Sequence, residues 1–246
     1  MNNQKLIDFI KEKFKLNEKE ALAFVLSGKV LVDEKSVTKA GYKINFKNRV
    51  RIKEQNKYVS RGAYKLITAL NKINFPVNDK ICADFGCSTG GFTEVLLERN
   101  AKKVYSVDCG TNLLDYKLRI NPKVIVMENK KISDLTNLDF KEKIDLSVMD
   151  ISFTSAIPSI RHIFISLAVD KMIALIKPQF EFIRLKEKLN LREDFRGIIR
   201  NQETLEKIIG YIKNEITELG LSVYDIIKSR IKGQKGNQEY LFYLGK

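Results

Sequence analysis

Histidine and cysteine are scarce in this sequence of 246 residues. His162 is the single histidine, and the three cysteines, Cys82, Cys87 and Cys109, contain no Cys-x-x-Cys pair. A zinc site needs several of these side chains at a short, regular spacing, so the sequence predicts no metal site. An odd number of cysteines without a pairing pattern also predicts reduced, mostly buried thiols rather than a disulfide framework.

Long apolar runs are also missing. The longest, at 163–169 and 172–176, are separated by Asp170 and Lys171, whereas a membrane-spanning helix needs about 20 consecutive apolar residues. The first residues lack the continuous apolar segment of a secretory signal. We therefore expect a cytoplasmic protein with no stable membrane insertion.

Positive charge is in excess. The formal net charge is +14, with 44 Lys and Arg against 30 Asp and Glu, and such an excess favours a polyanionic partner, either nucleic acid or an anionic membrane surface. Residues 1–58 carry 14 of the basic and 7 of the acidic residues. About a quarter of the chain therefore holds half of the net charge.

The pattern of residues 1–58 predicts two short amphipathic helices, at 5–15 and 18–27, followed by GKVLVD at 28–33 and a hairpin-like segment at 43–53. This arrangement resembles the RNA-binding module named after ribosomal protein S-four. It departs from that module where Asn17 and Glu18 replace the usual Ser-Arg. The resemblance implies a small α+β RNA-binding domain at 1–56 and a linker near 55–59. A basic domain that only packs against its neighbour is the alternative.

The remainder of the chain alternates between strand-like and helix-length segments. Such alternation is typical of a mainly parallel sheet covered by helices on both faces, with ligands bound at the carboxyl ends of the strands. The strand-like runs lie at 81–85, 103–107, 124–127, 146–151, 172–176, 222–227 and 240–244.

A turn of small residues follows the first of these strands, where residues 84–93 read DFGCSTGGFT. Glycines let the backbone approach a ligand closely, and Asp108, 22 positions after Gly86, is placed to accept both hydroxyls of a ribose. Asp84 can face a ligand ammonium. This pattern suits S-adenosylmethionine, which has a charged amino-acid end and no phosphate. The predicted cofactor-binding residues are Asp84, Gly86, Cys87, Ser88, Thr89, Gly90, Gly91, Phe92, Asp108 and Asp150, with Glu128 and Asn129 as positional candidates for adenine contacts.

The same turn contains the Gly-x-Ser-x-Gly pattern of a serine hydrolase, and Ser88, Asp150 and His162 follow in the chain order of that fold. Two features count against this interpretation. A nucleophile turn normally follows a central strand reached after several βα units, and His162 lies only twelve residues after Asp150. We expect His162 to be a surface or helix-packing residue.

Four segments together resemble the TlyA or hemolysin A family of the FtsJ-like superfamily. They are YVSRGAYKL at 58–66, DFGCSTGGFT at 84–93, MDISF at 149–153 and IKPQFE at 176–181. The resemblance implies a Rossmann-like class I methyltransferase domain at 59–246, with a seven-stranded sheet. It also implies methylation of a ribose 2'-hydroxyl, of cytidine, in ribosomal RNA or a ribosomal subunit.

The family resemblance implies a catalytic set of Lys65, Asp150, Lys177 and Glu239. A ribose 2'-hydroxyl is a poor nucleophile, so methyl transfer needs alignment and removal of one proton. A lysine accepts a proton only in its neutral form, which a nearby cation and partial desolvation favour. Lys177, near Lys65 and the sulfonium, is our hypothesis for the base, with Asp150 and Glu239 orienting it and balancing charge.

Other acceptors fit the sequence less well. Methylation of base amines uses an Asp/Asn-Pro-Pro-aromatic loop where this chain has DISF, and carbon-5 methylation needs a cysteine that is missing there. Phe153, Phe180 and Phe182 are candidates for stacking on bases, although aromatic residues at this density are more often core. Two other functions remain open, a membrane-active cytolysin and a non-catalytic RNA-binding assembly factor.

Overall fold

The computed structural model describes residues 4–53 and 57–246. The chain divides between Lys57 and Tyr58 into two compact units. The linker predicted at 55–59 lies partly outside the described residues. In the part of the chain that the structure describes, no helix is long and apolar enough to span a bilayer.

The first unit packs two helices on short strands. Leu6, Ile10 and Val25 from the helices meet Val30 and Val50 from the strands in a small apolar core. The helices agree with their predicted positions to within two residues. The elements are β1 (Gln4–Lys5), α1 (Leu6–Phe14), α2 (Glu18–Leu26), β2 (Val30–Val32), β3 (Lys35–Ser36), β4 (Lys43–Ile44) and β5 (Val50–Ile52).

Helix α2 begins at a capping box, in which the Asn17 side chain accepts from Glu20 N and the Glu20 carboxylate accepts from Asn17 N. An asparagine cap satisfies one of the free N–H groups of the first turn. Although Asn17 and Glu18 replace the usual Ser-Arg, the start of α2 is therefore still well capped.

The hairpin predicted at 43–53 is wrong. Strand β4 pairs with β1, whereas β5 pairs with β2. The reason lies in the connection, because the Asp33 carboxylate accepts hydrogen bonds from Asn48 Nδ2 at 2.7 Å and from Arg49 N at 2.8 Å. These bonds anchor the end of the connection beside β2 and direct β5 onto that strand.

The second unit is built on a seven-stranded sheet, as predicted. The spatial order is β11-β12-β10-β9-β6-β7-β8, and every pair is parallel except the two made by β12. This is the Rossmann-like arrangement that the sequence predicted. The strands are β6 (Ile81–Phe85), β7 (Lys103–Val107), β8 (Val124–Met127), β9 (Leu146–Met149), β10 (Lys171–Ile176), β11 (Ser222–Lys228) and β12 (Tyr240–Gly245).

Helices cover both faces of the sheet. Alternate residues of β10 point to opposite faces, so Ile173 joins one apolar cluster with Leu66 and Leu96, and Ala174 joins another with Ile160 and Ile212. The helices are α3 (Gly62–Ile73), α4 (Gly91–Glu98), α5 (Tyr116–Arg119), α6 (Ile157–Ser166), α7 (Pro178–Leu185) and α8 (Gln202–Glu218). Because the buried central strands are held from both sides, the loops at their carboxyl ends have a rigid base.

Candidate active site

Four charged side chains meet at the carboxyl edge of the parallel strands. Asp150 follows β9 directly, and Lys177 lies between the end of β10 and the start of α7. Glu239 precedes β12, and because β12 runs antiparallel to β10, its start lies beside the end of β10, where Tyr240 pairs with Ile176. All three side chains, with Lys65 from α3, line a cavity of about 650 Å³.

Lys65 and Glu239 form a buried ion pair. The Lys65 Nζ donates to Glu239 Oε2 at 2.6 Å, and the two side chains are 10% and 3% exposed. Gln179 Nε2 donates to the other oxygen, Glu239 Oε1, at 3.4 Å. These two donors compensate for the removal of the Glu239 side chain from water.

Lys177 and Asp150 form a second ion pair at the opening of the cavity. The Lys177 Nζ lies 2.5 Å from Asp150 Oδ1 and donates a hydrogen bond to Ser152 Oγ at 2.7 Å. Lys177 is as buried as Lys65, at 10% exposure, whereas Asp150 is more accessible than Glu239, at 23% against 3%. The pair of Lys177 and Asp150 can therefore contact a substrate, whereas the pair of Lys65 and Glu239 lies deeper in the cavity wall.

The structure adds site residues that the sequence analysis did not assign. Ser152 fixes the Lys177 ammonium, and Gln179 contacts Glu239. Both belong to the quoted motifs DISF and KPQFE, so their position in those motifs was an available signal. Asn237 had no such signal: it is buried, its Oδ1 accepts from Ile199 N at 3.1 Å and its Nδ2 donates to Gly197 O at 2.8 Å.

The predicted cofactor turn follows β6 and leads into α4, as the sequence indicated. Gly86 has φ +78° and Gly90 has φ +95°, a conformation that glycine adopts without steric penalty. A Cβ atom on Gly86 would lie 2.6 Å from the carbonyl oxygen of Asp150. The turn therefore passes directly against the backbone that carries a predicted catalytic residue.

Asp84 is fully buried at the start of this turn. Its Oδ2 accepts from Thr93 N at 2.8 Å and from Thr93 Oγ1 at 2.7 Å. Its Oδ1 has no hydrogen-bond partner among the described residues, and Asp84 lines the cavity. Burial raises the pKa of Asp84 to about 7, although the hydrogen bonds from Thr93 oppose this shift. An unpartnered carboxylate oxygen of this kind fits a cationic ligand group such as the ammonium of S-adenosylmethionine.

Asp108 lies behind the turn, outside the cavity lining. Its two oxygens accept from Ser88 N and from Gly110 N, each at 2.8 Å. Each carboxylate oxygen has a second lone pair, so these bonds leave Asp108 able to accept from ribose hydroxyls. Its role as a ribose ligand stays a prediction.

Three further predicted cofactor residues also lie outside the cavity lining. A Cβ on Gly90 would meet Leu118 Cδ1 at 2.3 Å, so this glycine faces a packed helix. The Glu128 carboxylate holds a loop, because a hydrogen bond from Arg119 and those from Leu114 and its neighbours lower the pKa of Glu128 to about 2. Asn129 follows it with φ +56°. The adenine contacts of Glu128 and Asn129 stay predictions.

The remaining predicted cofactor residues line the cavity. They are Asp84, Gly86, Cys87, Ser88, Thr89, Gly91, Phe92 and Asp150.

His162 takes the helix-packing role that the sequence predicted. On α6, its Nε2 lies 2.9 Å from Leu135 O, and its Nδ1 lies 3.3 Å from Ser166 Oγ. Both ring nitrogens are thus engaged away from Ser88 and Asp150. The arrangement of nucleophile, base and orienting carboxylate that a hydrolase needs is not formed by these residues.

Aromatic side chains border the opening of the cavity. Phe153 is 89% exposed and has φ +67°, a rare conformation for a bulky residue. Its ring centroid lies 5.4 Å from that of Phe180, which also lines the cavity. Phe182, the third candidate, is buried and stacks on Phe195 at 4.3 Å. Phe153 and Phe180 can therefore meet a ligand, whereas Phe182 belongs to the core.

Comparisons with known proteins agree with this geometry. The family model described as FtsJ-like methyltransferase matches residues 58–246. Hemolysin A of Brachyspira hyodysenteriae is 38% identical over 224 residues, which is 90% of this chain and 91% of that protein. The 23S rRNA (cytidine-2'-O)-methyltransferase TlyA of Campylobacter jejuni is 37% identical over 186 residues, which is 76% of this chain and 70% of that protein. A solved structure from Streptococcus thermophilus, named as a candidate hemolysin, is 33% identical with a TM-score of 0.72 and covers 100% of this chain and 89% of that one.

Proposed function

Since the chain belongs to the FtsJ-like methyltransferase family, in the group of TlyA and hemolysin A, we propose that it methylates a ribose 2'-hydroxyl of ribosomal RNA with S-adenosylmethionine. The observation that carries this proposal is the pairing of Lys65 with Glu239 and of Lys177 with Asp150 in one cavity beside the cofactor turn. Cytidine is the proposed acceptor because the Campylobacter relative is named for it.

S-adenosylmethionine, when bound, supplies an electrophilic methyl group on a positively charged sulfur. Asp84 would hold the ammonium through its free oxygen, and the glycines of the turn leave room for close approach of the ligand. Asp108 would accept from the ribose hydroxyls. The carboxylates of Asp84 and Asp108 beside the turn would repel a phosphate, which suits a cofactor without one.

Lys177 is the proposed acceptor of the 2'-hydroxyl proton at its Nζ. Only the amine form of a lysine can accept this proton, so Lys177 acts here as a general base. After transfer, the new ammonium is stabilised by Asp150 and Ser152, in the contacts of 2.5 Å and 2.7 Å that the structure contains. Holding the base in this way contributes through alignment as well as through proton transfer.

Phe153 and Phe180 are the proposed contact for the acceptor nucleotide. A base moved out of its stack can lie against an aromatic ring, and such contacts occur in enzymes that act on single nucleotides. Residues of the first unit, with their net positive charge, would add salt-dependent affinity for the RNA backbone. We propose that residues 1–56 are the RNA-binding domain.

The experiment combines purified protein, S-adenosylmethionine labelled in its methyl group, and isolated ribosomal subunits. We expect label at a ribose 2'-oxygen, located by nuclease digestion and mass spectrometry. The Lys177→Arg variant is the internal control, because arginine keeps the charge and does not accept a proton at neutral pH. Binding of RNA and cofactor without label in the wild type would favour the non-catalytic assembly factor.

A further inference from the structure

One large aromatic side chain of the first unit stands in solvent, away from the apolar core. Phe46, in the connection between β4 and β5, is 85% exposed. Its neighbours in the sequence, Asn45 and Lys47, are exposed and polar. At 85% exposure the ring contributes little to folding through burial, so it is free to contact a partner.

The connection is rigid, so the ring is presented in a defined position. Asn45 Oδ1 accepts from Lys47 N, and Asn48 Oδ1 accepts from Asn45 N, each at 2.9 Å. Asp33 holds Asn48 and the backbone of Arg49 from the end of β2. These bonds span the residues on both sides of Phe46, and a preorganised contact loses little entropy on binding.

Three basic residues lie within three positions of Phe46 in the sequence. Lys43, Lys47 and Arg49 are exposed, and the Lys47 Nζ lies 5.9 Å from the centroid of the Phe46 ring. Within 4–53 and 57–246, none of the three has a carboxylate at ion-pair distance. The nearby Arg51, in contrast, donates to Glu34 at 2.9 Å. The cations next to Phe46 therefore remain available to an external anion.

We propose that Phe46 stacks on an unpaired base of the RNA substrate, while Lys43, Lys47 and Arg49 contact the phosphates beside it. RNA-binding surfaces combine an aromatic ring for the base with cations for the backbone in this way. A protein interface or a membrane contact would need a wider apolar surface around the ring. The inference rests on the proposed function for the identity of the RNA.

The test uses the full-length chain with Phe46→Ala, Phe46→Tyr and Phe46→Leu. Binding to protein-free ribosomal RNA is measured by fluorescence anisotropy, and kcat and KM are measured for methyl transfer to isolated subunits. Removing one stacked ring should weaken RNA binding about 5- to 150-fold and raise KM, with kcat at saturation unchanged. Tyrosine should restore binding, and leucine should not. Leu26→Ala, at another exposed apolar residue of the same unit, is the matched control and should bind like wild type.

Salt dependence gives a second readout. Phe46→Ala should leave the slope of log K against log salt unchanged, because stacking releases no counterions. Lys47→Gln should reduce that slope by about 0.7, the value for one contact to a single strand. A slope unchanged by Lys47→Gln would contradict the phosphate contacts.

Three results would overturn the inference on Phe46. They are binding by Phe46→Ala within twofold of wild type, full restoration by leucine, and a loss seen with assembled subunits but not with protein-free RNA, which would assign the ring to a ribosomal protein. Absence of methyl transfer by the wild type would instead contradict the proposed function. The anisotropy measurement would then still decide the role of Phe46.

Discussion

Lys65 and Glu239 lie 174 positions apart in the sequence, and their side chains meet at 2.6 Å in the interior of the second unit. Both are almost completely buried. In a buried ion pair, the Coulomb attraction offsets the cost of removing both charges from water, whereas either charge alone has no such compensation. The pair therefore joins α3 to the start of β12 in a way that depends on both residues.

Lys65→Met should lower the free energy of unfolding by about 3–5 kcal/mol, because it leaves the Glu239 carboxylate buried without its partner. The double variant Lys65→Met with Glu239→Leu should recover most of that loss, since two apolar side chains replace two buried charges. Both variants should lack methyl transfer. Chemical denaturation followed by circular dichroism measures the stabilities.

The control for the comparison of these two variants is Lys72, which lies on the same helix as Lys65. Lys72 forms an ion pair with Asp225 at 2.9 Å, with the Lys72 side chain 54% exposed, and exposed pairs contribute less than about 1 kcal/mol. Lys72→Met should therefore be nearly neutral. If Lys65→Met were equally mild, the buried pair would not have the importance that its burial indicates.

Lys177→Met and Lys177→Arg should reduce the rate of methyl transfer about 100- to 10,000-fold, the usual contribution of a general base. Cofactor affinity should change little with arginine, which retains the positive charge beside Asp150. Single-turnover rates and equilibrium binding of S-adenosylmethionine separate the two effects. Lys186→Met, an exposed lysine just after α7, should behave like wild type. Near-normal turnover by Lys177→Arg would contradict the role of Lys177 as base.

The strands of the second unit could be predicted from the sequence because each is short, apolar and bounded by polar residues. Strand β10 is an example: its apolar residues are buried on both faces, so the run is continuous rather than alternating. The positions of Asp150 and Lys177 followed from the ends of these strands. Strand β9 ends at Met149, two residues before the predicted end, because Asp150 and Ile151 already belong to the site loop.

Other features depend on contacts that the sequence does not encode locally. The pairing of β5 with β2 is decided by hydrogen bonds that the Asp33 carboxylate accepts from a loop about fifteen residues away. The partners within the catalytic set were also unpredictable, since Lys65 could in principle pair with either carboxylate. Burial of Asn237 and its bonds to the 197–199 segment likewise arise only from the folded chain.

The cofactor affinity should depend on pH through Asp84. Its pKa is raised by burial from 3.8 to about 7, so the carboxyl is protonated below neutrality in the free protein. A bound ammonium favours the carboxylate, and binding then requires loss of a proton below pH 7. The apparent affinity for S-adenosylmethionine should therefore increase as the pH rises from about 6 to about 8.

Calorimetry with wild type and Asp84→Asn at each pH tests this dependence, because titration of the ligand is common to both proteins. The asparagine can still accept from Thr93 and should show a flatter profile. The same linkage has a consequence for folding. Since the folded state holds its proton to a higher pH than the unfolded state, the stability contributed by Asp84 should fall between pH 4 and 7. An identical pH profile for the two proteins would exclude Asp84 as the titrating group.

Gly86→Ala should damage activity through Asp150. An alanine at this position meets two costs, a left-handed backbone with φ +78° and a Cβ placed 2.6 Å from the carbonyl oxygen of Asp150. Gly220 separates the two costs, because it has the same φ of +78° and no atom within 4 Å of the point that a Cβ would occupy. Gly220→Ala should thus cost about 1–2 kcal/mol in stability and retain full activity.

Gly86→Ala should be less stable than Gly220→Ala by a further 1–3 kcal/mol, about the usual penalty for overpacking. Its remaining folded fraction should methylate RNA poorly, since Asp150 must move relative to the Lys177 Nζ, now 2.5 Å away. Specific activity per folded molecule, obtained from turnover and the unfolding curve, measures this effect. Equal activity in the two alanine variants would mean that the backbone of Asp150 can shift without consequence for the transfer.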